Sequence, residues 1–171
     1  GLVGSEMCIR DSLEKELKNF RQDLHMHPEL GFDEKRTSLK IAEELKSSGI
    51  EVSTEVGKTG VVGVLKKGHG TKNIMLRADM DALPIHEESS HHYTSKNPGI
   101  MHACGHDGHS TMLLGAAKFL ANNDCFSGTV NFVFQPNEEH GLGAKAMLED
   151  GLLERFPTKE IYGIHNLPGA P

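Results

Sequence analysis

The stretch Met101-His-Ala-Cys-Gly-His-Asp-Gly-His109 constrains this chain more than any other. It gathers three histidines, one thiol and one carboxylate, with two glycines that let the backbone turn tightly. Imidazole nitrogen, thiolate sulfur and carboxylate oxygen are the donors that a borderline-soft divalent metal takes. A histidine-rich polar surface loop is the simpler account of any one of these residues. For Cys104-x-His106 inside such a cluster, followed by the carboxylate pair Glu138-Glu139, a metal site is the stronger reading.

A chain of 171 residues is long enough for one domain with a real core and short for two. Its 37% hydrophobic and 25% charged content is that of a globular chain, so the cluster has a fold to sit in. A net charge of -6 leaves no basic footprint for nucleic acid. No apolar run approaches the length that spans a bilayer, and the start lacks the pattern of a signal peptide. Cys8, Cys104 and Cys125 are odd in number and widely spaced, with no disulfide framework, so a reducing, cytoplasmic setting is expected. Residues 1–12 share no period with the helical stripe that begins at Leu13 and are set aside, Cys8 included, as an appended leader.

Leu13, Leu17, Phe20 and Leu24 recur at spacings of three and four, which predicts a helix ended by Pro28. His25 and His27 flank that end as caps or satisfied buried histidines. A second helix is expected over 33–48, with Thr37, Ile41 and Leu45 inward and Gly49 as its stop. Strands are expected over 50–56, 61–65 and 73–78, the third a central one that delivers Asp79 and Asp81 at its carboxyl end. Those two carboxylates are either part of a site or a solvated strand end. After a polar loop over 86–99, Met112, Leu113, Ala116, Phe119 and Leu120 mark an apolar-faced helix that starts at the cluster. A strand over 128–134, alternately apolar, a helix over 143–153 and a short strand over 161–164 complete an α/β sandwich.

Asp79, the cluster, Glu138-Glu139 and His165 each follow an apolar strand or lie in the next loop, which is how sequence-distant segments build one pocket. Adjacent residues in an extended or turn segment point in different directions. One of Glu138 and Glu139 can therefore bind metal while the other faces a water, whose pKa a metal lowers towards ~7. The simpler account of the pair is a surface acidic patch at a helix entrance.

Five segments carry a resemblance: Leu24-His-Met-His-Pro-Glu-Leu30, Arg77-Ala-Asp-Met-Asp-Ala-Leu-Pro84, Met101–His109, Gln135-Pro-Asn-Glu-Glu139 and Gly163-Ile-His-Asn-Leu-Pro168. In this order they closely resemble the M20 metallopeptidase family, most of all the amidohydrolase branch that includes hippurate hydrolase and the auxin-conjugate (indoleacetyl-amino acid) hydrolases. The resemblance runs from about Leu13 to the last residue. It implies a catalytic domain built on a mixed sheet flanked by helices, and a dinuclear metal hydrolase that cleaves the amide of N-acyl amino acids. By resemblance Cys104, His106, Glu139 and His165 are ligands of two divalent ions (zinc, manganese or cobalt), and Glu138 is the general base. Asp79 stands at the position that orients a ligand. Cys104 stands where the wider family has a bridging aspartate, which suits a soft metal and exposes the site to oxidation. His102, Asp107 and His109 shape the loop and hydrogen-bond its neighbours, while Gln135 and Asn166 face the substrate.

The family's lid domain comes after the Gly-x-His-x-x-Pro segment, and the chain then returns to supply more sheet and a last histidine ligand. This sequence stops at Pro171, so the 171-residue piece is expected to be inactive by itself and the longer form to act on a small molecule, with homo-oligomers among its expected states. Two alternatives stand beside this reading. One is a non-catalytic metal-binding module; the other is a deacetylase or peptidase of the same family, such as a diaminopimelate-type deacylase.

Overall fold

Phe20 and Leu24 are buried on helix α1 (Val3–Met26), with Leu17 packed partly against the same core, as their spacing requires. The computed structural model describes residues 3–167, with side chains from Leu13 onward. The expectation that 1–12 is an appended leader, and that Cys8 is no ligand, concerns side chains outside the described residues, although the helix itself begins at Val3. Pro28 follows the helix end.

Helix α2 (Lys35–Ser47) buries Thr37, Ile41 and Leu45, the expected stripe. Its first amides are satisfied from a distance: Arg36 and Thr37 N–H donate to the Glu29 carboxylate at 3.1 and 2.8 Å, a negative charge at the positive helix end. Glu34, at the position before the helix, makes no cap with its own side chain.

Five strands form one mixed sheet. These are β1 (Glu51–Val56), β2 (Gly60–Lys67), β3 (Asn73–Asp79), β4 (Gly128–Gln135) and β5 (Glu160–Gly163), in the order β1-β2-β4-β3-β5. The first two pair antiparallel and β2 runs antiparallel to β4, whereas β3 is parallel to both β4 and β5. Between β3 and β4 lies α3 (His106–Asn122), and α4 (Gly143–Glu149) and α5 (Leu152–Arg155) follow β4.

On one face Val130, Phe132 and Phe134 pack with α1, α2 and α3; on the other Val133 meets Met147, Leu152 and Phe156. Strand β4 is therefore buried on both faces, where its sequence suggested a strand apolar only on alternate residues. Each such fully buried large apolar side chain contributes roughly 1.5–3 kcal/mol. Two helical expectations change. The helix expected over 143–153 is broken, because Gly151 turns left-handed at φ 78° between α4 and α5. Met112 and Phe119, read as inward, are more than half exposed, and Leu113, Leu114 and Ala117 are buried instead. The helix begins at His106, and burial of His106, His109 and Ser110 at the site sets which face continues inward.

The three parallel strands end on the same side, the edge at which open α/β sheets place their sites. Asp79 there stands opposite Gln135. Among the described residues no helix is long and apolar enough to cross a membrane.

Candidate metal centre

The centre is assembled by four segments that leave the same end of the sheet. Beyond β3 the chain is tied on both sides, Leu30 bridging Ala82 and Met101 bridging Leu83, so Asp79 and Asp81 are held in place. Both are buried, which removes the solvated strand end. The cluster turns into α3 at Gly105 in the left-handed conformation, φ 86°. This brings His106 into the first turn, fully buried.

His106 Nδ1 lies 3.2 Å from Asp81 Oδ1, so in the neutral ring the N–H is committed to a carboxylate and the lone pair is on Nε2. That Nε2 is buried with no hydrogen-bond partner among the described residues, and so is Glu139 Oε1. The two atoms are 3.7 Å apart, and Glu138 Oε2 and Asp79 Oδ1 are each also 3.7 Å from Nε2. Cys104, His106 and Glu139 offer donor atoms that all lie within 4.8 Å of one another. Cys104 Sγ is in turn 3.6 Å from His165 Nε2, so it is in reach of both sides of the site. His165 Nδ1 is occupied by the Asn166 carbonyl at 2.6 Å, which again leaves Nε2 facing inward.

Orphaned buried nitrogen and oxygen, a thiol between two imidazoles and converging carboxylates are a donor set that fits a divalent metal. The electrostatics agree. Burial pushes the Cys104 thiol up to about 11, with the Glu139 and Glu138 charges adding to it, so without a cation the sulfur keeps its proton. Burial opposes the His106 cation, yet Asp81, Asp79 and Glu139 outweigh it and raise its pKa. Asp81 runs the other way: burial raises it, but His106 and the backbone N–H groups of Glu139 and Glu138 prevail and hold it low.

The two carboxylates at the end of β3 and just beyond it divide their contacts in a way the sequence left open. Asp79, expected to orient a ligand, receives His109 Nδ1 at 2.6 Å and Arg77 Nη1 at 2.8 Å. Asp81 holds the His106 ring and also accepts the Glu139 backbone N–H at 3.0 Å. His109 Nε2 accepts from the Asn166 backbone N–H at 3.1 Å, so both its nitrogens are occupied. Gln135 is taken by Arg77 Nε at 2.9 Å. Asp107 receives Arg21 and His25, each at 2.8 Å, and His25 also meets Glu87 at 3.1 Å. His27 Nδ1 donates to the Asp23 carbonyl, a local helix-end contact. His102 is buried with neither ring nitrogen partnered among the described residues, and burial pushes its pKa down to about 4. Arg77 and Glu87 were not singled out as site residues; Asp81 was read only as one of two strand-end carboxylates, with no role of its own.

Carboxylate, imidazole and thiol donors that converge at the carboxyl ends of parallel strands make this α/β domain a candidate metal-binding one. Residues 75–171 match the model of peptidase family M20/M25/M40, and the chain belongs to that family. It is 55% identical over 156 residues to the hippurate hydrolase of Campylobacter jejuni, covering 91% of this chain and 40% of that protein. With the IAA-amino acid hydrolase ILR1-like 5 of Arabidopsis thaliana it shares 49% identity over 146 residues, 85% of this chain and 33% of the relative. The solved structure of the Bacillus subtilis YXEP protein, a dinuclear metal-binding peptidase of the M20 family, superposes with a TM-score of 0.88 at 42% identity. That match covers 94% of this chain and 45% of the other. The chain thus spans less than half the length of each of these relatives.

Proposed function

We propose that this chain carries the metal-binding half of an amidohydrolase that cleaves the amide bond of N-acyl amino acids, small-molecule substrates with a C–N bond outside a peptide chain. The observation that carries the reading is the unequal Glu138-Glu139 pair. Both reach within 3.7 Å of His106 Nε2, but Glu139 has a buried oxygen with no partner among the described residues, while the Glu138 side chain is 34% exposed. That inequality supports Glu139 as the ligand and Glu138 as the group that meets a water and a substrate. The names of the two curated relatives support the substrate class, and the YXEP structure supports two ions.

Cys104, His106, Glu139 and His165 would hold two divalent cations, zinc, manganese or cobalt. When bound, the cations supply the positive charge that acidifies water and offsets the negative charge developing on the substrate's carbonyl oxygen. Glu138 takes a proton from the attacking water. The water oxygen bonds to the carbonyl carbon, the C–N bond breaks, and Glu138 returns the proton to the departing amino nitrogen. Asp81 keeps His106 in the tautomer that presents Nε2. A reducing, cytoplasmic setting keeps the Cys104 thiol available.

The test uses a chain extended to the length of the relatives, assayed for metal content and for hydrolysis of hippurate, acetyl-amino acids and indoleacetyl-amino acids in parallel. Glu138→Gln is expected to keep its metal and lose at least ~100-fold in rate, while Glu139→Gln loses metal. Metal binding with no hydrolysis of any of these amides, and indifference to Glu138→Gln, would leave a binding module.

A further inference from the structure

Glu34 is fully buried, and its carboxylate does not serve the helix it precedes, whose amides are taken by Glu29. It reaches instead 103 residues along the chain, where Oε1 accepts the Asn137 backbone N–H at 2.8 Å. Oε2 accepts the Thr59 hydroxyl at 2.5 Å, which fixes the direction of the carboxylate. Asn137 is the residue before Glu138-Glu139, and its backbone is left-handed at φ 44°, a conformation that costs a non-glycine residue free energy. The strained residue is itself buried. Its Oδ1 accepts from His140 Nδ1 at 2.8 Å, and its carbonyl accepts the Gly143 N–H at 3.1 Å. Gly31 leaves room for it: a Cβ there would stand 2.0 Å from Asn137 Oδ1.

We propose that Glu34 is a positioning residue for the Glu138-Glu139 pair, its buried carboxylate holding the left-handed turn at Asn137 from which the two carboxylates diverge. Glu34 fixes the start of that turn through Asn137 N–H, and Asp81 fixes its next stage through Glu139 N–H. With both amides tied, Glu139 stays turned to His106 and Glu138 stays beside it. Released at Asn137, the backbone relaxes towards negative φ and carries both side chains away from Nε2. Asn137 tolerates the left-handed region better than most residues and is helped by His140 and Gly143, but the acceptor for its N–H comes from the entrance of a helix far away along the chain.

The inference rests on Glu139 being a metal ligand, and the test separates the two ideas. Cobalt(II) is titrated into the chain extended to the length of its relatives and followed by its cobalt–thiolate charge-transfer band and its visible d–d bands, beside metal-free melting curves. Glu34→Ala, and Glu34→Asp with its carboxylate one methylene short, are expected to weaken cobalt binding by ~10–100-fold and to alter the d–d bands. Glu34→Gln keeps an acceptor for the Asn137 N–H and is expected to bind as the parent does. If Glu34→Ala does not fold, Glu34→Asp against Glu34→Gln decides. A band that responds to Glu139→Gln but not to the Ala or Asp variants would overturn the positioning role alone, even if those variants melt lower. A parent chain with no cobalt–thiolate band, or one blind to Glu139→Gln, overturns the metal-centre reading and this inference with it.

Discussion

An oxygen of Asp81 lies 3.2 Å from Nδ1 of His106, and that single contact decides which nitrogen of the ring faces the other donors. Asn at this position can present its amide N–H₂ to the ring and so favour the wrong tautomer. Asp81→Asn is expected to weaken metal binding ~10–100-fold while the metal-free chain keeps its secondary structure. Competition against a chromophoric chelator, with circular dichroism alongside, measures both. Unchanged affinity would remove Asp81 from the site.

Metal binding is expected to displace the Cys104 proton, because burial and the neighbouring carboxylates hold the free thiol up to about 11. Below that pH each unit of rise then strengthens binding by about tenfold through this one proton. Cys104→Ser should flatten the dependence by that amount. Zinc affinities measured between pH 6.5 and 8.5 on the two chains give the slopes directly, and equal slopes would mean that the sulfur is not a ligand.

The buried His25 is held between Asp107 and Glu87, and its hydrogen bond to Asp107 is the largest cause of its raised pKa. A folded pKa above the ordinary 6.5 means that the cation stabilises the fold fully below about pH 6.5. The contribution disappears as the pH climbs through the folded value. Urea unfolding of the parent and His25→Asn should therefore show a stability gap that narrows from pH 6 to pH 9. A gap that stays constant, or widens with pH, would contradict the charged assignment.

Gly143 opens α4 against the turn after β4, and a Cβ there would lie 1.5 Å from the Pro136 carbonyl oxygen. Backbone occupies the space, so no rotamer change relieves the clash. Gly143→Ala is expected to cost about 3 kcal/mol or more, the upper range for an overpacked site. Chemical denaturation of the two chains checks it, and a loss under about 1 kcal/mol would show that the turn can yield.

Much of this arrangement was legible in the residues. The helical stripes of α1 and α2 and the apolar strands have periods that leave few alternatives, and the polar residues at the strand ends mark one side of the sheet. The Cys104–His109 cluster and Glu138-Glu139 carry their chemistry on their faces. What the sequence does not carry is the partner of each group. Asp79 and Asp81 differ by two positions, and only the turn at Met80, tied through the bridges of Leu30 and Met101, sends one to His109 and the other to His106. Met112 looks like its neighbour Leu113, and the site end of α3 settles which is buried. Glu34 resembles an ordinary helix-start carboxylate, and its link to Asn137 spans 103 residues. Pairings of that range are products of tertiary packing and leave no local pattern.

The parallel pairing of β3 with β4 sets Asp79 opposite Gln135, and every later contact of the centre counts from that alignment. A slip of one residue would move one strand end past the other by about 3.3 Å and turn its side chains to the opposite face. Backbone ladders could re-form after such a slip, but Asp81 would no longer meet the Glu139 amide while also holding His106. Metal uptake therefore distinguishes a correctly aligned sheet from a near miss that spectroscopy of secondary structure would score as folded. The affinity proposed for an ion would then also be a ruler, laid across two strands and accurate to a single residue.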